Sequence, residues 1–273
     1  MYQELPSCDL VMIDEQHRFG TKQRELIHKL VSAGKAHPHF IQFTATPIPR
    51  TMSMIHSSLV EYSFIKEMPF KKDIDTLIIG KGQFKQLIER IEEEIKKEHQ
   101  IAIIYPLVEE SEVIGYQSVD EGRTFWDNKF DNVFVTHGRD REKEEVLREF
   151  KEKGNILLAT TVVEVGISLP RLTTIVIVGA ERLGLATLHQ LRGRVSRTGL
   201  KGYCYLFTHQ SESKRLEDFS RTISGFDIAE LDLKYRPSGD LLSGTLQHGA
   251  QFRWFSMVED GDILERVKEK LGV

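Results

Sequence analysis

Residues 10–17 read Leu-Val-Met-Ile-Asp-Glu-Gln-His, four apolar side chains followed directly by two acids. An apolar run of this length, closed by polar residues, is typical of a strand buried on both faces of a parallel sheet. Open parallel sheets bind their ligands at the carboxyl ends of the strands, which is where Asp14 and Glu15 fall. The stretch therefore predicts an α/β fold with functional carboxylates at a sheet edge.

Apolar runs and helical patterns alternate through the rest of the chain. A helix is predicted over about 21–33, a strand at 40–43 and a polar linker at 68–72. After the linker, the apolar spacing from Phe84 to Ile95 predicts a helix, and further helices are predicted over 139–153 and from about Ala186 to at least Arg197. Strands are predicted at 76–80, 101–105, 132–136, 156–160, 173–178 and 203–207. This alternation predicts one complete doubly wound parallel-sheet domain at 73–210, while residues 1–67 supply only the C-terminal part of another.

Composition narrows the class of protein. The 273 residues are 40% hydrophobic and 29% charged, and no run approaches the roughly 18 apolar residues of a membrane span. We expect a cytoplasmic protein with no membrane span and no secretory signal. Cys8 and Cys204 lack zinc-site spacing and read as reduced thiols. The net charge of −4 means that any nucleic-acid contact must use a local basic track.

The acids at residues 14 and 15 suit phosphate chemistry. An Asp at a buried strand end can hold a hydrated Mg²⁺, because that ion needs only one or two carboxylates. The neighbouring Glu could orient the water that attacks a γ-phosphate. An isolated acidic pair could equally do no more than end a strand, so this reading needs support from other segments.

Three later segments give that support, although each has a plain structural alternative, and the shortest, Thr44–Thr46, reads by itself as a turn. The loop Thr160–Gly166 follows an apolar strand and could bring backbone amides to a phosphate, or it could be a simple strand-to-helix turn. Gln190, Arg194 and Arg197 are spaced four and three residues apart, which predicts that they share one helical face. Two guanidiniums on one face suit a transferring phosphoryl group, although a solvated basic stripe would look the same.

Together these segments resemble the motifs of superfamily-two helicases, in the right order along the chain. Residues 14–17 resemble the Walker B box of the DExH type, and residues 44–46 resemble motif III. Residues 160–166 resemble motif V, and residues 190–197 resemble motif VI. The resemblance implies two RecA-like domains that use ATP and Mg²⁺. It implies that Asp14 binds the metal, that Gln16, His17 and Gly166 also contact the nucleotide, and that the catalytic residues are Glu15, Gln190, Arg194 and Arg197.

Longer matches point to the RecG family of bacterial helicases. Residues 14–20 and 44–51 carry its signatures, and 180–186 precede motif VI as they do in that family. Residues 225–249 resemble its translocation element, which implies a helical hairpin and loop over 211–255 and a C-terminal helix over 256–273. Mfd-type transcription-repair motors share several of these features but usually differ at residues 16 and 17. The residues implied in DNA contact or coupling are Thr44, Thr46, Arg50, Arg139, Thr160, Thr161, Arg236 and Gln247.

The resemblance implies a monomeric, ATP-dependent double-stranded DNA translocase that remodels stalled forks and branch-migrates Holliday junctions. Its partner would be branched double-stranded DNA. The sequence contains no G-x-x-x-x-G-K-[ST] phosphate loop, so we expect a C-terminal fragment that is inactive alone, and a non-catalytic DNA-binding module remains the alternative. Ser168 stands where motif V usually has Asp. Ser196 replaces a usual Gly of motif VI, which a helix is expected to accept.

Overall fold

The computed structural model describes residues 8–14, 26–27, 38–43, 63, 65, 73–106, 118–136, 142–160, 168–196, 199–235 and 266. The chain divides into two compact units. One comprises Met1–Glu61 together with Arg236–Val273, and the other comprises Tyr62–Tyr235.

Two parallel strands form the described sheet of the first unit. They are β1 (Leu10–Asp14) and β2 (His39–Phe43), paired in register from the first residue of each to the last. The predicted strands and their parallel pairing are confirmed, and Leu26 and Ile27 are helical as expected.

The prediction that β1 is buried on both faces is wrong. Side chains alternate across a pleated strand, and the side chains of Leu10 and Met12 are 46% and 61% exposed while Ile13 on the other face is buried. In the described part of the chain β2 is the single strand that pairs with β1.

The second unit is built on a six-stranded, all-parallel sheet in the order β3-β8-β7-β4-β6-β5. All six predicted strands are confirmed to within two residues at each end. The continuous apolar runs of β4, β6 and β7 fill the middle layer of the domain. Their bounds are β3 Ile74–Ile79, β4 Gln100–Tyr105, β5 Val133–Thr136, β6 Ile156–Thr160, β7 Leu172–Val178 and β8 Gly202–Phe207.

Helices cover both faces of this sheet. One face packs against α1 (Phe84–Lys96) and α2 (Val119–Lys129). The other packs against α3 (Lys143–Lys153), α4 (Leu185–Arg192), α5 (Lys214–Arg221) and α6 (Gly225–Tyr235). The predicted α1 is confirmed, with Leu87, Ile88 and Ile91 buried. The helix predicted over 139–153 begins at Lys143 in the structure, and residues 139–141 lie outside the described ranges.

Helix α2 was not anticipated from its weak apolar periodicity. It begins with a capping box in which the Glu121 N–H donates to Ser118 Oγ at 3.2 Å and the Ser118 N–H donates to Glu121 Oε2 at 2.7 Å. Trp126 is buried and donates to the Tyr105 hydroxyl at 2.8 Å, which fixes the helix over the end of β4.

A buried carboxylate lies at the C-terminal end of α1. Glu94 is 1% exposed and accepts hydrogen bonds from Lys97, His99 and Thr173 at 2.8–2.9 Å. Burial opposes its ionisation, but these three bonds outweigh burial and hold the pKa of Glu94 below its ordinary value. The cluster ties α1 to β7.

In the part of the chain that the structure describes, no helix combines the length and the apolar character required to cross a membrane.

Candidate functional site

The carboxyl edge of the first sheet carries the predicted metal ligand. Asp14 is the last residue of β1, its side chain is exposed, and it pairs in register with Phe43, the last residue of β2. The chain therefore leaves both strands at one edge, directly before the segments that begin at residues 15 and 44. An exposed carboxylate at this position fits a hydrated Mg²⁺, which draws its other ligands from water and phosphate. Among the described residues, no group of three or more His, Cys, Asp or Glu could hold a metal by itself.

The motif VI segment forms a helix that ends early. Helix α4 includes Gln190 but stops at Arg192, and residues 193–196 form a turn that we call the arginine turn. Its backbone is tied to the helix, because the Gly193 N–H donates to the His189 carbonyl at 2.8 Å and the Arg194 N–H donates to the Leu191 carbonyl at 3.0 Å. The prediction that Gln190 and Arg194 share a helical face is therefore wrong, and Arg197, the third residue of that prediction, lies outside the described residues.

Ser196, at the end of the arginine turn, has a backbone conformation that does not belong to a helix. Its φ of 59° is left-handed, a conformation that costs non-glycine residues roughly 1 kcal/mol. Its buried hydroxyl donates to the Leu200 carbonyl at 2.5 Å, which holds the bend. The expectation that Ser196 is accepted within a helix is wrong, since the position is one where glycine is at ease.

The arginine turn lies at the amino edge of the six-stranded sheet. A Cβ added to Gly202, the first residue of β8, would be 3.0 Å from Val195 Cγ2 and 3.1 Å from Ser196 Cβ. Thr160 lies at the opposite edge, as the last residue of β6, and its buried hydroxyl has no hydrogen-bond partner among the residues that the structure describes. The structure therefore does not bring Thr160 and the arginine turn together.

Arg192, which the motif assigns no role, is the buried cation of this region. It is 6% exposed, and its guanidinium donates to the carbonyls of Phe219 at 3.2 Å and Thr222 at 2.7 Å, at the C-terminal end of α5. The same guanidinium lies 4.3 Å from the Phe219 ring centroid. Burial lowers the pKa of Arg192 from its ordinary value, but the partial negative charge of a helix C-terminus compensates the cation.

Asp232 acts at the other end of α4. Gly184 occupies the position before the helix and has no side chain with which to cap it. The Leu185 N–H instead donates to Oδ1 of Asp232, which comes from α6, at 3.3 Å. Asp232 is 4% exposed, and a carboxylate at a helix N-terminus is favoured by the helix dipole.

Sequence reasoning overlooked both of these residues, although a signal was present. Arg192 continues the apolar stripe of α4, whose other buried members are Leu185, Leu188 and Leu191. Asp232 stands among the buried positions of α6 in the same way. A charged residue at a core position is rarely buried without specific partners, so such positions indicate a tertiary contact.

The remaining predicted residues divide into described and undescribed ones. Ser168 is described and exposed. Twelve of the predicted site residues lie outside the described ranges: Glu15, Gln16, His17, Thr44, Thr46, Arg50, Arg139, Thr161, Gly166, Arg197, Arg236 and Gln247.

Comparisons with known proteins agree with this architecture. The family described as helicase conserved C-terminal domain matches residues 82–199. The ATP-dependent DNA helicase RecG of Helicobacter pylori strain J99 is 54% identical over 266 residues, which is 97% of this chain and 43% of the relative. RecG of Aquifex aeolicus is 42% identical over 90% of this chain and 32% of its own length. A solved structure of RecG bound to a three-way DNA junction is 32% identical, with a TM-score of 0.66 over 94% of this chain and 33% of that one.

The chain thus spans less than half the length of these relatives. The expected fold is confirmed: the second unit is a RecA-like helicase C-terminal domain, and its sheet is followed by the α5–α6 helical hairpin. Since the matches to RecG proteins extend over nearly all of its residues, the chain belongs to the RecG family and corresponds to the C-terminal part of its members.

Proposed function

We propose that this chain is the C-terminal part of an ATP-dependent motor that translocates on double-stranded DNA, remodels stalled forks and branch-migrates Holliday junctions. The observation that carries the proposal is the 54% identity to a RecG helicase over 97% of the chain. The relative solved with a three-way junction supports branched DNA as the partner. The motor would act as a monomer in the cytoplasm.

The first unit would contribute to the nucleotide through the segment that begins at Asp14. Asp14 would hold Mg²⁺, which when bound neutralises charge on the phosphates. Glu15 would orient the attacking water and receive its proton, and Gln16 and His17 would contact the nucleotide. The exposed position of Asp14 at a strand end supports this role, because the carboxylate is open to a ligand.

The second unit would contribute through the loop containing Gly166 and through motif VI. Gln190, Arg194 and Arg197 would stabilise the charge that develops on the transferred phosphoryl group. Support comes from the arginine turn, which is hydrogen-bonded to α4 and so fixes where the Arg194 side chain starts.

DNA contacts would be made to the phosphate backbone, with little sequence specificity. Hydroxyl and guanidinium groups suit that task. The residues proposed for DNA contact are Thr44, Thr46, Arg50, Arg139, Thr160 and Thr161, and those for coupling are Arg236 and Gln247. The chain would divide into five segments. They are the C-terminal part of the first RecA-like domain (1–67), a linker (68–72), the second RecA-like domain (73–210), the translocation element (211–255) and a final helix (256–273).

ATP hydrolysis tests the proposal. A full-length RecG protein whose C-terminal part is this chain is expected to hydrolyse ATP, and a three-way junction should stimulate it more than linear duplex does. The 273-residue chain alone is expected to show no turnover, because its sequence has no phosphate loop. Turnover by this chain alone, or a full-length protein that ignores junction DNA, would contradict the proposal.

A further inference from the structure

Helix α4 is attached to the α5–α6 hairpin at both of its ends. At its N-terminus, Asp232 of α6 accepts from the Leu185 N–H at 3.3 Å. At its C-terminus, Arg192 donates to the Phe219 and Thr222 carbonyls of α5 at 3.2 and 2.7 Å. We call these contacts the α4 clamp. A rotation or slide of α4 against the hairpin would break at least one of them.

The clamp is costly to release. Arg192 and Asp232 are both more than nine-tenths buried. Separating the Arg192 guanidinium from the Phe219 and Thr222 carbonyls would take two hydrogen bonds from a cation that water hardly reaches. The described hydrogen-bond partners of Arg192 are backbone carbonyls and, at 3.5 Å, the Thr76 hydroxyl, and none of them is a carboxylate. The cation therefore depends on the end of α5.

Arg194 follows the clamp by two residues. Its N–H donates to the Leu191 carbonyl at 3.0 Å, and the Val195 N–H donates to the Arg192 carbonyl at 3.4 Å. Because of these bonds, a displacement of the end of α4 would displace the arginine turn as well. A guanidinium that stabilises a transferring phosphoryl group must be placed accurately, since a misplacement of about 1 Å can cost about 10²-fold in rate. The position of α4 against the hairpin thus sets the position of Arg194.

We infer that Arg192 and Asp232 are positioning residues for ATP hydrolysis, which hold the arginine turn through the α4 clamp rather than by touching the nucleotide. The inference rests on the proposed function.

The test measures kcat and KM for junction-stimulated ATP hydrolysis, together with the thermal unfolding midpoint, in the full-length protein. Arg192→Met and Asp232→Ala are expected to lower kcat by about 10- to 100-fold with KM for ATP close to wild type, because the chemical step loses accurate placement while nucleotide binding remains. Asp232→Asn is expected to recover most of kcat, since the amide oxygen can accept the same bond.

Arg171→Ala is the matched control. Arg171 also bonds three backbone carbonyls at helix ends, those of Glu98, Lys151 and Glu152, each at 3.1 Å, but it contacts α1 and α3 rather than α4. It should lower the unfolding midpoint while leaving kcat close to wild type. The inference would be overturned if Arg171→Ala and Arg192→Met lost kcat equally, in proportion to their loss of stability.

Other outcomes separate the inference from the proposed function. If Arg192→Met does not fold, the comparison of Asp232→Ala with Asp232→Asn tests the inference. An equal loss of kcat in these two variants would overturn it. If the wild type hydrolyses ATP and Arg194→Ala does not, while both clamp variants are unimpaired, the inference alone fails. A wild type without junction-stimulated turnover would overturn both.

Discussion

Replacing Ser196 by glycine and, separately, by alanine tests whether motif VI ends in a turn or continues as a helix. In the structure Ser196 adopts φ 59° and donates to the Leu200 carbonyl at 2.5 Å. Alanine keeps the left-handed strain and loses the bond, which costs about 1 kcal/mol. Glycine also loses the bond but relieves roughly 1 kcal/mol of strain, so its free energy of unfolding should stay close to that of the wild type.

The sign of the difference between the two variants separates the two conformations. The turn predicts that glycine is more stable than alanine by about 1 kcal/mol. A helix predicts the reverse, since glycine is about 1 kcal/mol worse than alanine in a helix interior. The two expectations thus differ by about 2 kcal/mol, which is well within the resolution of denaturant unfolding.

The assay follows Trp126 fluorescence during urea unfolding of the 273-residue chain. Trp126 is buried in the second unit, and a Trp254→Phe background removes the other tryptophan of the chain. Ser196→Ala should have a lower urea midpoint than Ser196→Gly at an unchanged slope. An alanine variant more stable than the glycine variant would refute the left-handed turn and restore the continuous helix.

Three further predictions concern the second unit. Burial raises the pKa of the Cys204 thiol to about 12, so the reactive thiolate is scarce at pH 8 in the folded protein. In a Cys8→Ser variant, iodoacetamide should therefore modify Cys204 only after unfolding, which mass spectrometry can detect. Because the pKa of Glu94 is held below 4.5 in the folded state, its stabilisation is present above pH 4.5 and lost as pH falls through the folded pKa. The free energy of unfolding of Glu94→Gln should therefore be about 1–3 kcal/mol lower than that of the wild type at pH 7. This difference should disappear as the pH falls into the acid range. A difference that stays constant with pH would contradict an ionised carboxylate at this position. Gly122→Ala should lower the thermal unfolding midpoint, because the added Cβ would fall 2.3 Å from the Tyr105 hydroxyl oxygen. Overpacking of this kind costs about 1–3 kcal/mol. Gly82→Ala is the control and should leave the midpoint unchanged, because no atom lies within 4 Å of its added Cβ.

The sheet of the second unit could be predicted from sequence because its inner strands β4, β6 and β7 are buried on both faces. Continuous apolar runs such as residues 156–159 have few other uses, and their alternation with helices fixes a parallel arrangement. Helix α2 was missed for the opposite reason. It buries little more than Val119, Gly122 and Trp126, and its clearest signal was the capping pattern that begins at Ser118.

The candidate site was less predictable, because its geometry depends on contacts distant in sequence. Spacing alone extends α4 through Gly193 to residue 197, and helical spacing does not reveal that Ser196 is left-handed and bonded to the Leu200 carbonyl four residues later. The partners of Arg192 lie about 30 residues away, at the end of α5. The exposure of Asp14 likewise depends on which elements surround β1, which the apolar run itself does not specify.

The most direct test of the central claim is ATP hydrolysis by Arg194→Ala in a full-length RecG protein that carries this chain. If Arg194 stabilises the transferring phosphoryl group, junction-stimulated hydrolysis should fall by about 10³-fold or more while ATP is still bound. Binding can be measured with a fluorescent ATP analogue. Turnover equal to that of the wild type would contradict the account.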